Sequence, residues 1–145
     1  MITEIRHVGI TVQNLELCKD FFINSLGFSI HKEMDEHGAY IDAMFGLQDV
    51  EVRTSKLKAP DGNLVELLEF SSHKVEKETK WTGKIFSTGL THIAVTVKDI
   101  EDSYHKLKSK GYNFNAPPQN SPDGFAKVTF FKGPENLFVE IVQIL

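Results

Sequence analysis

The sequence predicts an α+β fold built from two tandem βαβββ modules, and two internal repeats carry that prediction. Thr91-His92-Ile93-Ala94-Val95-Thr96-Val97-Lys98-Asp99-Ile100 restates Arg6-His7-Val8-Gly9-Ile10-Thr11-Val12-Gln13-Asn14-Leu15 at a constant offset of 92 − 7 = 85. Pro60-Asp61-Gly62-Asn63-Leu64-Val65-Glu66 likewise matches Pro134-Glu135-Asn136-Leu137-Phe138-Val139-Glu140, each running from a turn proline to a glutamate. Self-similarity between two halves of a chain implies two copies of one supersecondary unit, with equivalent places for functional groups. The expected modules are residues 1–73 and 89–145, joined by a linker over 74–88.

Ile5 to Val12 alternates on a period of two, with Val8, Ile10 and Val12 on an apolar face and His7, Gly9 and Thr11 opposite. That second face is small and polar where a solvated face would carry charges, which leaves room above the sheet. Asn14 is a helix cap, and Leu17, Phe21, Phe22 and Leu26 follow at helical spacing up to Gly27. Cys18 on this helix reads as a small apolar filler. Phe28 to Glu33 reads as a strand and Asp35-Glu36-His37-Gly38 as a turn. Tyr40, Ala43, Met44 and Leu47 recur at 3-4-3 spacing, so Ala39 to Leu47 is a short helix or lid-like segment. Val50 to Leu57 and Leu64 to Phe70 are strands on either side of the Pro60-Asp61-Gly62-Asn63 turn.

Ser71 to Thr88 is charged and aperiodic and contains the single tryptophan, Trp81, so the linker falls there. The second module then runs as a strand over Leu90 to Val97, an Asp99-capped helix over Ile100 to Lys110, and a strand starting at Asn113-Phe114. A loop from Pro117 to Gly124 and strands over Phe125 to Phe131 and Leu137 to Ile144 complete it.

Composition narrows the function. The 145 residues suffice for a buried core without disulfides, and a single cysteine, Cys18, suits a reducing cytoplasmic compartment. The net charge of −4 is interspersed, with no basic stripe to meet nucleic acid or an anionic membrane. No apolar run reaches the length of a membrane span, and no signal-peptide pattern opens the chain. The partner expected is a small molecule.

The repeats place His7 and His92 equivalently on first strands, and Glu66 and Glu140 equivalently on last strands. Each glutamate lies within an apolar strand, LVELL or FVEIV, where an uncompensated charge would cost several kcal/mol. Two imidazoles and two carboxylates form a mixed nitrogen and oxygen set suited to a divalent ion such as Ni, Co, Mn, Fe or Zn. Glu69 is a rival to Glu66 but faces the other way on a period of two. His31, His37, His73 and His105 lack repeat partners and read as surface residues, while Tyr40, Phe45, Trp81 and Phe125 are candidates to line a pocket.

The signatures RHVGITVQNLELCKDFFINSLGF, PDGNLVELLEF, THIAVTVKDI and GPENLFVEIVQ together span the chain, and on them it resembles the vicinal oxygen chelate superfamily. That family includes glyoxalase I, methylmalonyl-CoA epimerase, extradiol dioxygenases and the fosfomycin and bleomycin resistance proteins. The resemblance implies paired modules whose mixed sheets curl into a cup with flanking helices, a glyoxalase-like fold. It also implies one divalent ion per site on the concave face and a homodimer.

The set His7, Glu66, His92 and Glu140 resembles that of bacterial glyoxalase I, whereas epimerases usually have glutamine in the place of Glu66. Thr11 stands where a glyoxalase I commonly has an arginine serving glutathione, so the resemblance does not extend to that co-substrate. The function implied is a metal-dependent lyase or isomerase that abstracts a proton next to a carbonyl, with Glu140 or Glu66 as the base. The alternatives are a methylmalonyl-CoA-epimerase-like enzyme, an extradiol-type dioxygenase, and a non-catalytic binder of the bleomycin-resistance kind.

Overall fold

The computed structural model describes residues 2–74, 84–86 and 88–145, which fall into two compact units, Met1–Lys80 and Trp81–Leu145. The first unit contains β1 (Val8–Thr11), α1 (Leu15–Asp20), β2 (Ser29–His37), α2 (Ala39–Phe45), β3 (Glu51–Lys58) and β4 (Leu64–Phe70). The second contains β5 (His92–Thr96), α3 (Ile100–Ser109), β6 (Asn113–Phe114), β7 (Gln119–Asn120), β8 (Ala126–Lys132) and β9 (Phe138–Ile144). Each forms one mixed sheet. The orders are β1-β4-β3-β2 and β5-β9-β8-β6, with β7 also pairing β8. First and last strands run parallel in both, β1 with β4 and β5 with β9, and the remaining pairs are antiparallel. No helix among the described residues is long and apolar enough to cross a membrane.

The repeat seen in sequence extends into contacts that hold each helix to its sheet. Asn14 Oδ1 accepts from the Leu17 N–H (2.9 Å), and Asp99 Oδ1 accepts from the Asp102 N–H (2.9 Å). The first helical N–H of each is taken by a last-strand side chain: Leu15 N–H donates to Glu69 Oε2 (2.7 Å) and Ile100 N–H to Gln143 Oε1 (2.8 Å). Arg53 pairs with Glu16 and Lys127 with Glu101 at the matching places. Helix starts leave N–H groups without intrahelical partners, so the four bonds to backbone N–H fill vacancies that the fold creates. Glu69 therefore has a helix-capping task on the face away from Glu66, as its period-two position requires. Glu69→Ala is expected to destabilise the chain by about 1–2 kcal/mol, the usual cost of a lost helix cap, while leaving ion binding intact. Urea unfolding tests this, and an unchanged midpoint would contradict the capping role.

Hydrogen bonds from Lys19 and then Arg53 hold the Glu16 carboxyl below the usual carboxylate range. With a lowered folded pKa, its contribution is present above the ordinary value and is lost as pH falls through the folded one.

The core of the first unit lies between α1 and the sheet. Leu15, Cys18, Phe21, Phe22, Phe28, Leu57, Val65 and Leu67 are all buried there. The helix departs from the expected course: after Asp20 it widens into a π turn over Phe21–Ser25 before Gly27 ends it in the left-handed region at φ 78°. Both consecutive phenylalanines are buried in this turn, whereas Leu17, counted in the apolar stripe, is exposed. On the opposite sheet face Ile41 of α2 packs with Val50 and Val52 against Leu68 and Phe70. Asp42 fastens the end of α2 by accepting from the N–H groups of Val50 (2.8 Å) and Asp49 (3.2 Å).

In the second unit α3 buries Ile100, Tyr104 and Leu107, and the core includes Phe131, Phe138, Val139 and Ile141. Phe114 packs against both Tyr104 and Phe131, with ring centroids 4.7 and 5.0 Å away.

Two local readings are corrected. Asp35-Glu36-His37 is not a turn: β2 continues to His37, which pairs with Glu51. Polar residues there are tolerated because the β3 backbone satisfies theirs, and pairing outweighs local propensity. The loop from Pro117 to Gly124 contains β7, separated from β6 where Pro117-Pro118 removes two backbone donors.

Candidate functional site

In the first unit His7 immediately precedes β1, and Glu66 lies on β4 with Gly9 as its cross-strand neighbour. His7 Nε2 is 3.0 Å from Glu66 Oε2. The second unit repeats the arrangement: His92 opens β5, Ala94 neighbours Glu140 on β9, and His92 Nε2 is 3.4 Å from Glu140 Oε2. The glutamate side chains are 13% and 21% exposed, and the histidines 31% and 37%. The expected face thus exists in both sheets, with glycine or alanine beside each carboxylate. A Cβ at Gly9 would meet only Leu68 Cδ1, at 3.5 Å, so packing does not require glycine there.

Each unit brings together one imidazole and one carboxylate. Among the described residues no group of three or more His, Cys, Asp or Glu is assembled for a metal ion. Two donors each about 2.1 Å from one ion lie about 3.0 Å apart at a right angle and about 3.4 Å apart at the tetrahedral angle. The observed separations are those of imidazole–carboxylate ion pairs and also leave room for a common ion between the two groups. His92 Nδ1 lies 3.0 Å from Thr91 Oγ1, the kind of outer contact that orients a ligating imidazole. His7 Nδ1 is buried and has no hydrogen-bond partner among the described residues, and Arg6 occupies the place of Thr91. The donor chemistry and the separations fit a divalent ion at each pair.

One site residue is not evident from sequence alone. Lys56 on β3 is the direct cross-strand neighbour of Glu66, and its Nζ lies 3.1 Å from Glu66 Oε1. Glu66 is therefore held from both sides. The place of Lys56 in the second unit belongs to Phe130, the cross-strand neighbour of Glu140, whose ring meets that of His92 edge-on at 5.4 Å.

The aromatic candidates are dispersed. Tyr40 and Phe125 are largely exposed, Phe45 packs on Phe70, and Trp81 lies outside the described residues. A cavity of about 400 Å³ in the first unit is lined by Thr11, Val12, Gln13, Leu47, Phe70, His73 and Lys74, none of them a candidate ligand. His73, expected at the surface, is thus part of a cavity wall. His31, His37 and His105 are exposed as expected.

A family model described as Glyoxalase/Bleomycin resistance protein/Dioxygenase superfamily matches residues 4–141. The uncharacterized protein YurT of Bacillus subtilis (strain 168) is 31% identical over 137 residues, 93% of this chain and 94% of that protein. The uncharacterized protein YwkD of the same organism is 25% identical over 145 residues, covering 99% of this chain and 98% of that protein. The crystal structure of the glyoxalase family protein APC24694 from Bacillus cereus matches with a TM-score of 0.89 at 19% identity, over 100% of this chain and 96% of that one. At that identity the likeness shows the fold.

Proposed function

The chain belongs to the Glyoxalase/Bleomycin resistance protein/Dioxygenase superfamily, and from that premise we propose that it is a divalent-metal-dependent lyase or isomerase acting on a small α-oxygenated carbonyl compound or thioester. The superfamily contains both enzymes and non-catalytic binding proteins, so the reading rests on the site. The observation that carries it is the recurrence, in register, of an imidazole–carboxylate pair at ligand spacing in both units.

His7, Glu66, His92 and Glu140 are the residues that would hold the ion. A bound ion supplies Lewis-acid stabilisation of negative charge on two neighbouring substrate oxygens. The chain's own task is to move the proton. A carboxylate takes the hydrogen from the carbon next to the carbonyl, and the electron pair of the broken C–H bond delocalises onto the carbonyl oxygen as an enolate or enediolate. Return of the proton to the neighbouring carbon completes an isomerisation. Glu140 suits this role better than Glu66, because Glu66 is tied by both His7 and Lys56 while Glu140 is approached by His92 alone among the described residues.

The test is proton exchange. Stripped protein reloaded in turn with Ni, Co, Mn, Fe(II) and Zn is incubated in D2O with hydroxyacetone, or with the hemithioacetal of methylglyoxal and a simple thiol, and loss of the α-proton signal is followed by NMR. Ion-dependent exchange is expected. Binding of these compounds without exchange under any ion would favour the sequestering proteins of the superfamily.

A further inference from the structure

We propose that Lys56 is a built-in competitor for the divalent ion at the first imidazole–carboxylate pair, neutralising Glu66 while the pair is empty and weakening its hold on an ion. The inference rests on the divalent-ion reading above and concerns a residue that reading does not use.

The helix-facing contacts of the two units repeat closely, including Arg53 with Glu16 and Lys127 with Glu101. Against that background the row containing the carboxylates differs in charge at one place. It reads Gly9, Glu66, Lys56 in the first sheet and Ala94, Glu140, Phe130 in the second. Lys56 is only 24% exposed in mid-strand, and its ammonium is spent on Glu66 Oε1 while His7 meets Oε2. A lysine ammonium is a compact point charge on a flexible stem, able to neutralise a carboxylate but unable to ligate a metal while protonated. It repels a dication arriving at the same carboxylate. Phe130 brings no charge, so nothing opposes an ion at Glu140 in this way.

Mn²⁺ and Zn²⁺ are titrated calorimetrically into stripped wild type, Lys56→Met, Lys56→Arg and Phe130→Lys, and melting is followed with and without ion. Lys56→Met should bind the ion about tenfold more tightly, the size Coulomb's law gives for a dication and a monocation about 5 Å apart with water-like screening. Its ion-free form should melt lower, because Glu66 loses a partner, and its rise in melting temperature on ion addition should exceed that of wild type. Lys56→Arg should behave as wild type, and Phe130→Lys should weaken binding by a similar factor.

A lysine with a purely structural role would lower both melting temperatures without any gain in affinity. Unchanged or weaker binding by Lys56→Met, with wild type binding normally, would overturn the inference while leaving the divalent-ion reading in place. If Lys56→Met does not fold, undiminished affinity in Phe130→Lys would overturn it. Absence of binding in wild type and in every variant would remove the divalent-ion reading and this inference with it.

Discussion

Glu140→Gln is expected to lower ion-dependent proton exchange by about three orders of magnitude, within the range that general-base catalysis contributes. The change keeps the size of the side chain and an oxygen that can still face His92 Nε2, which lies 3.4 Å from the carboxylate in the wild type. It removes the capacity to take a proton. The strand should be undisturbed, since Phe138, Val139 and Ile141 are buried around it and do not depend on the carboxylate. Circular dichroism and melting should therefore match wild type while exchange is lost. Full exchange in a folded Glu140→Gln variant would refute the base assignment and turn attention to Glu66. Glu66→Gln predicts a different pattern, because the amide leaves the Lys56 ammonium without its anionic partner, 3.1 Å away.

Phe22→Ala should produce the largest loss of stability, about 3–5 kcal/mol, as large-to-small changes in a close-packed core do. Phe22 is 0% exposed and meets Phe21 and Phe28 edge-on, with centroids 5.5 and 5.2 Å away. All three rings lie where the π turn meets the start of β2, so neighbouring groups have little freedom to collapse into the space left. Domains of this size have about 5–15 kcal/mol in hand, so the variant is expected near the edge of folding. Urea denaturation measures it. A loss below about 1 kcal/mol would mean that this cluster is not the core of the first unit. Leu17→Ala, on the exposed side of the same helix, should change stability by no more than about 0.5 kcal/mol.

Much of the architecture is legible in the residues because several independent signals agree on it. The period of two at Val8–Thr11 and the apolar run after the turn at Leu64–Phe70 return as strands, and Asn14 and Asp99 are helix caps with the expected side-chain bonds. The ligand candidates are legible for a different reason: a repeat turns two weak signals into one strong one. His7 with Glu66, and His92 with Glu140, do meet.

What local pattern misses depends on partners far along the chain. The extension of β2 to His37 is stabilised by pairing with Glu51 across the hairpin, and no signal within Asp35-Glu36-His37 announces it. The π turn is a packing outcome that buries Phe21 and Phe22 together. Lys56 is the most instructive case, because on its own strand the period of two only sets it in line with Val52 and Thr54. Only the register that sets Lys56 opposite Glu66 gives it a role. The repeat contained a hint, since the same 140 − 66 = 74 offset that aligns the glutamates sets Lys56 against Phe130 and exposes the one difference of charge in the row.

If these imidazole–carboxylate pairs hold a divalent ion, elemental analysis of the purified chain will find it. Wild type and Glu140→Ala are stripped, reloaded with each of Ni, Co, Mn, Fe(II) and Zn, and freed of excess ion before measurement. About one ion per site is expected in wild type for at least one of these metals, and its loss in Glu140→Ala. Retention of no ion by wild type, or equal retention by both proteins, would contradict the divalent-ion reading.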